Sequence, residues 1–297
     1  VPVALAAAAV AVGLGAGLGG SLSGCAGGGS AATPPSAPPP MTNATPPAGA
    51  ALAPPAPAPR LPATVVPTRY RLRVAVDPDA VGFRGQVHID VTVREATRHV
   101  VLHGRGLTVT AARREGERPL AATVATRVPP GALEPEELVL TFPEAIPAGN
   151  HTVSLTYEAP YPSILGGLYR VADGNARYAV TKFEPADARR AFPCFDEPAL
   201  KATFELSILA PKGTTAFANT PEVSRKDEEG GTLFTFAPSK PLPTYLVAFA
   251  VGPFEVLEGK AGAVPLRVLS AKGKSHLGRF ALAEGARALG ALERYFA

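Results

Sequence analysis

From Leu61 to Lys260 apolar and polar residues alternate with a period of two. This constrains the chain more than any other feature, because only a β-strand sends successive side chains to opposite faces. In RYRLRVAV the residues Tyr70, Leu72, Val74 and Val76 face one way and Arg69, Arg71 and Arg73 the other, and Val87, Ile89, Val91 and Val93 repeat the arrangement in QVHIDVTV. HVVLHG, ELVLTF, HTVSLTYEA, TFELSIL and TLFTF are further strand-like runs. YLVAFAV is apolar throughout and reads as a strand covered on both faces. Turn chemistry separates the runs at Asp77-Pro78, Pro129-Pro130-Gly131, Pro147-Ala148-Gly149-Asn150, Asp173-Gly174 and Glu229-Gly230-Gly231. The pattern predicts an all-β domain over 61–260, about two hundred residues and large enough for a sizeable core.

Beyond 260 the period changes. Leu277, Phe280, Ala281, Ala288, Leu289, Leu292, Tyr295 and Phe296 fall on a helical stripe, with Ser275 placed as the N-cap and no stop signal at the far end.

The first sixty residues follow neither period. No charged residue precedes Arg60; residues 1–24 are an Ala/Gly/Val/Leu run, and 25–60 form a Gly, Ala, Ser, Thr and Pro tract that cannot bury a core and reads as a flexible linker. Leu22-Ser23-Gly24-Cys25 resembles a bacterial lipobox, which predicts export, lipidation of Cys25 and attachment to a membrane of the cell envelope. The competing readings are a plain secretory signal and a transmembrane helix. The chain opens Val1-Pro2-Val3, where a signal peptide opens with Met and basic residues. The Ala/Gly content of the run and the lack of a basic stop-transfer cluster argue against a membrane span. With Cys25 lipidated, Cys194 has no disulfide partner and reads as a small buried apolar residue, with no histidine base near it in sequence.

The net charge of +4 is dispersed. Arg69, Arg71 and Arg73 line one strand as a solvated face, while Arg113-Arg114 and Arg189-Arg190 are isolated pairs. No phosphate-tracking stripe results, which argues against nucleic-acid binding.

The densest chemistry lies between Thr181 and Phe204, in TKFEPADARRAFPCFDEPALKATF. Pro185, Pro193 and Pro198 forbid a continuous helix, so this is an irregular and tightly specified loop. It holds four of the thirteen phenylalanines together with Lys182, Glu184, Asp187, Arg189, Arg190, Asp196, Glu197 and Lys201. Carboxylates beside aromatic surface need cationic partners, from the protein or from a ligand. Glu184 is therefore read either as a partner of Arg189 or Arg190, or as a ligand anchor. Asp196 and Glu197 are adjacent on an extended chain and point apart, so they read as ion-pair partners of Arg189, Arg190 or Lys201 and not as an acid/base pair. Gly166 and Gly167 serve a backbone turn.

TKFEPADARRAFPCFDEPALKATFELSI resembles the substrate-anchoring loop of the zinc-dependent aminopeptidases related to aminopeptidase N and puromycin-sensitive aminopeptidase. PTRYRLRVAVDPDAVGFRGQVHIDVTV from Pro67, GLYR at Gly167–Arg170, Asn219-Thr220-Pro221, PTYLVAFAVGPFE and PLRV continue the resemblance in order from Leu61 to Ala297. It implies a saddle-shaped, mostly antiparallel sheet domain, with a thermolysin-like catalytic domain beginning at about Ala261 and truncated at Ala297. The implied activity is release of N-terminal residues from peptides with a free N-terminus, on a zinc ion. Glu184 matches the residue that the family's sheet domain gives to hold the substrate ammonium. Lys182 stands where relatives carry glutamine; its ammonium either pairs with Glu184 or turns outward, and an acidic first residue is the substrate it would favour.

The HExxH helix and the Gly-x-Met-Glu-Asn segment of that family do not occur in this sequence. The histidines are His88, His99, His103, His151 and His276; His99 and His103 are spaced i, i+4 but lack the glutamate, and read as surface or strand residues. The resemblance thus predicts the substrate-anchoring part of an aminopeptidase, inactive alone and without zinc ligands of its own. The alternative is a non-catalytic, lipid-anchored β module that binds peptides or a partner protein.

Overall fold

The computed structural model describes residues 53–296, all within one compact unit. Cys25, the signal-like run and most of the linker lie outside the described residues.

Seventeen strands and one long helix follow in chain order among the described residues. The first eight strands are β1 (Val65–Ala75), β2 (Gly82–Val93), β3 (Thr97–His103), β4 (Thr108–Arg114), β5 (Leu120–Ala121), β6 (Thr123–Arg127), β7 (Glu137–Ile146) and β8 (Gly149–Pro160). Next come β9 (Gly167–Asp173), β10 (Ala176–Lys182), β11 (Thr203–Ala210), β12 (Thr215–Ala218), β13 (Glu222–Glu228) and β14 (Gly231–Phe236). The last are β15 (Phe249–Gly252), β16 (Glu255–Ala261), β17 (Val264–Ser270) and the helix α1 (Gly278–Phe296).

An eight-stranded sheet runs β13-β14-β11-β1-β2-β8-β4-β5; a four-stranded sheet runs β12-β15-β10-β9, a three-stranded one β3-β7-β6, and β16 and β17 form a hairpin. The fold is all-β and mostly antiparallel, with β1 and β11 pairing in parallel. Alternation sets the faces as the sequence predicts. Tyr70, Leu72 and Val74 of β1 and Val87, Ile89, Val91 and Val93 of β2 are buried, and Arg69, Arg71, His88 and Asp90 line the opposite face.

The core runs through the loop that joins β10 to β11. Tyr70 stacks on Phe204 with ring centroids 4.6 Å apart, and Phe192 meets both rings edge-on at 6.3 and 6.4 Å. Phe183 touches Phe192 and Phe249 in the same way. Burying a ring of this size stabilises by about 1.5–3 kcal/mol, and an aromatic pair adds about 0.5–1.5 kcal/mol. The loop is thus fastened by its phenylalanines, and the Phe195 N–H donates to the Tyr70 hydroxyl at 3.0 Å.

Three sequence expectations need correction. In YLVAFAV only Phe249–Gly252 is a strand; Thr244–Leu246 form a 3-10 turn after Pro243, with Leu246 exposed. Asn219 holds that turn, its Nδ2 donating to the Leu246 carbonyl and its Oδ1 accepting from the Ala248 N–H. Next, Ser275 opens a 3-10 turn instead of capping the helix, and its N–H is taken by Glu255. Of the predicted stripe only Leu289 is buried, while Leu277, Phe280, Leu292, Tyr295 and Phe296 stay exposed. A two-stranded hairpin covers only a narrow helix face, where Leu282 lies against Gly259 and Gly278 against Val268 and Leu257. Ala261 closes β16, inside this hairpin.

His99 and His103 belong to β3, in line with the strand reading of the two, and both are buried, at 6% and 7% exposed. Among the described residues no helix is long and apolar enough to cross a membrane.

Candidate functional site

After β10 the chain turns at once. The Asp187 N–H donates to the Phe183 carbonyl at 2.7 Å, enclosing Glu184, Pro185 and Ala186, and a 3-10 turn follows over Ala188–Arg190. The Glu184–Pro185 peptide bond is cis. This turn lies against the start of β9, where Gly167 pairs with Lys182. Gly167 has φ +72°, and a Cβ there would sit 2.7 Å from the Arg190 Cβ; one on Gly166 would sit 2.7 Å from an Asp187 carboxylate oxygen. The glycine pair therefore provides both a left-handed turn and a close approach.

The loop then returns through an isolated bridge between Cys194 and His103. Below it lies a buried ionic network. Arg189 donates through Nε to Asp196 at 2.9 Å and through Nη1 to Glu136 at 2.7 Å, and Glu136 also pairs with Arg105. Thr244 Oγ1 donates to the other Asp196 oxygen, and the Asp196 N–H donates to His103 Nδ1 at 3.1 Å. Burial first, and then the field of Arg189, push the His103 imidazole down to a pKa of about 3. The ring is neutral, with its proton on Nε2. Burial pushes the Cys194 thiol well above its ordinary range. The fold does bring a histidine to Cys194, but a buried thiol that holds its proton is an inert core residue.

The network sorts the loop's carboxylates. Asp196 takes Arg189, as the sequence predicts. Glu197 does not take Arg189, Arg190 or Lys201: it accepts the Leu61 N–H at 2.6 Å and pairs with Arg60, because the chain enters the domain there. Asp187 holds Arg190 at 2.8 Å. Glu184 is different. It is exposed, and among the described residues it forms no ion pair; both arginines considered as its partners are engaged elsewhere. Lys182 is exposed as well and makes no ion pair with Glu184. The fold thus leaves one unengaged carboxylate on a loop whose other carboxylates, Asp187, Asp196 and Glu197, are all paired.

Among the described residues no three His, Cys, Asp or Glu side chains are grouped to hold a metal ion. His103, Glu136 and Thr244 were missed as site-building residues. His103 and Asp196 are 93 positions apart, and no local pattern marks the pair.

The sequence matches the Peptidase M1 N-terminal domain over residues 66–246, which span the large sheet, the loop and the 3-10 turn carrying Thr244. The chain belongs to the peptidase M1 family, as its N-terminal domain. Aminopeptidase M1 of Arabidopsis thaliana is 38% identical over 246 residues, covering 80% of this chain and 28% of the relative. Aminopeptidase N of Acetobacter pasteurianus is 36% identical over 245 residues, covering 80% of this chain and 66% of the relative. A probable M1 family aminopeptidase of Encephalitozoon cuniculi is 38% identical over 243 residues. The chain therefore spans little more than a quarter of the plant relative's length.

Proposed function

We propose that this M1 N-terminal domain is the substrate-anchoring part of a zinc-dependent aminopeptidase, with the Glu184 carboxylate holding the α-ammonium group of a peptide. The observation that carries the reading is the unengaged state of Glu184 on a loop where Asp187, Asp196 and Glu197 all have cationic partners. An exposed carboxylate on a backbone fixed by a buried network is placed to receive a cation from outside. The phenylalanine core and the Arg189 network keep that backbone in position. Lys182 adds a positive charge two residues away and disfavours basic first residues. Zinc and the catalytic groups belong, in this reading, to a part of the polypeptide other than the described residues.

The test is hydrolysis of leucine, glutamate and arginine anilides by the complete polypeptide and its Glu184→Gln variant. A charge-assisted hydrogen bond is worth about 1.5–3 kcal/mol, so kcat/KM should fall roughly ten- to a hundredfold, largely through KM. An unchanged KM would sink the anchor assignment. Export and lipidation at Cys25 belong to the same proposal and support an envelope location; detergent partitioning lost in a Cys25→Ser variant is the expected result, and unchanged partitioning contradicts it.

A further inference from the structure

The residues that lead into the sheet are fastened at two points. Leu61 is buried in the core, its N–H donates to the Glu197 carboxylate at 2.6 Å, and Arg60 reaches the second Glu197 oxygen at 3.3 Å. Upstream, the Pro55 carbonyl accepts from Arg127 of β6, whose guanidinium also holds the buried Glu137 of β7. Between the two points runs Pro55-Ala56-Pro57-Ala58-Pro59-Arg60, exposed apart from Pro55. Alternate prolines confine such a chain to extended conformations, so little entropy is lost when its ends are fixed.

The register shows what this segment crosses. Arg127 lies opposite Glu137, Glu137 opposite His103, and His103 bridges to Cys194 of the loop. Three strand spacings of about 4.8 Å therefore separate Arg127 from the loop, and six extended residues at about 3.1 Å each are long enough to cover them. The segment runs as a strap from the outer strand of the three-stranded sheet to the returning half of the Glu184 loop.

Its hold reaches the turn that carries Glu184 through a short series of contacts. Glu197 adjoins Asp196, and Asp196 accepts from the Arg189 guanidinium at 2.9 Å and from the Arg189 N–H at 3.3 Å. Arg189 in turn sits in the 3-10 turn directly after the Phe183–Asp187 hydrogen bond. Past Glu197 the chain is loosely held, with Pro198, Ala199 and Lys201 exposed. The Glu197 side chain joins this stretch to the point where the chain enters the core, and both of its oxygens are engaged by the strap.

We propose that residues 55–61 are a strap that positions the amine-anchoring loop, with Glu197 as its positioning residue. The inference rests on the assignment of Glu184 as the anchor. Glu197 acts through the backbone on which Glu184 stands and not on the substrate. A loop already held in place need not be ordered when an ammonium group arrives, so the strap raises substrate affinity and leaves the chemical step alone.

The test compares Glu197→Ala, Glu197→Gln and a Pro57→Gly/Pro59→Gly double variant of the complete polypeptide, by amide hydrogen exchange and by leucine anilide kinetics. Losing a hydrogen bond to a charged group should speed exchange of the amides in 189–197 about tenfold or more in Glu197→Ala, with the β1 and β2 amides unchanged. KM should rise by about threefold to tenfold at constant kcat. Glu197→Gln keeps an acceptor for the Leu61 N–H and should restore most of the loss. The double variant alters exposed residues only, so the sheet stays folded, and loop exchange about threefold faster is expected. Glu228→Gln, in a surface pair with Arg73, is the control for charge and should change neither readout. Loop exchange unchanged in Glu197→Ala or in the double variant, or faster exchange throughout the domain, overturns the proposal. Glu184→Gln, measured alongside, separates the two readings. If it raises KM and Glu197→Ala does not, the strap fails and the anchor stands; if neither raises KM, the anchor assignment has failed and the positioning role falls with it.

Discussion

Replacing His103 by asparagine removes a titrating group from the buried network while keeping an acceptor for the Asp196 N–H. In the folded domain His103 Nδ1 receives that N–H at 3.1 Å and Arg189 stands close by, so a proton on Nδ1 would bring two donors face to face beside a guanidinium. The folded pKa is about 3, against 6.5 for the unfolded chain. A depressed folded pKa means that the unfolded state binds the proton first. The neutral ring therefore contributes fully above 6.5, and stability is lost as pH falls from there toward 3. The slope approaches about 1.4 kcal/mol per pH unit, which gives a loss of about 2 kcal/mol at about pH 5 and almost none above about pH 7.5. Urea unfolding of the two proteins across this range isolates the effect, because carboxylate titrations are common to both and cancel in the difference. The parent should lose about 2 kcal/mol more than His103→Asn on going from about pH 7.5 to 5. Parallel pH profiles would falsify the assignment of His103 as a buried neutral acceptor.

Three further perturbations probe the same framework. Arg189→Ala strands the Asp196 carboxylate in the core and should cost about 3–5 kcal/mol, read in calorimetry as a fall in Tm of roughly 6–20 °C; a loss under about 1 kcal/mol would show that water reaches the site. Tyr157→Phe deletes a buried hydroxyl that has no hydrogen-bond partner, so stability should hold or rise by about 1 kcal/mol, and a clear loss in urea unfolding would reveal a partner for it. Gly167→Ala meets φ +72° and the Arg190 side chain together; it should destabilise by about 1–3 kcal/mol, with an unchanged urea midpoint counting against the close approach.

The strands were legible because each buries one face, and burial of alternate residues is a property of four to eight consecutive positions. β1 and β2 show it most plainly, with Tyr70, Leu72, Val87 and Ile89 inward and the arginines outward. YLVAFAV misled for a related reason: an apolar run fixes burial but not backbone geometry, and the side chain of Asn219, 27 residues from Leu246, bends it into a turn. The helix stripe of Phe280, Leu292 and Tyr295 misled because apolar periodicity shows that a helix has a face, while the width of what packs on it decides how much of that face is covered.

At the candidate site the sequence determined the inventory: a proline-punctuated loop with a surplus of charge among phenylalanines, and Glu184 and Lys182 within it. Which carboxylate remains free was settled only by the tertiary structure. Arg189 and Arg190 are close enough in sequence to satisfy Glu184. They are drawn instead to Asp196, Glu136 and Asp187, because the His103–Cys194 bridge and the glycine pair at the start of β9 fix the loop's path. Local pattern can fix which face a residue takes, since that depends on its immediate neighbours. Charge pairing at short range depends on elements far apart in sequence, 137 positions for Arg60 and Glu197, and exists only once the sheets have brought them together.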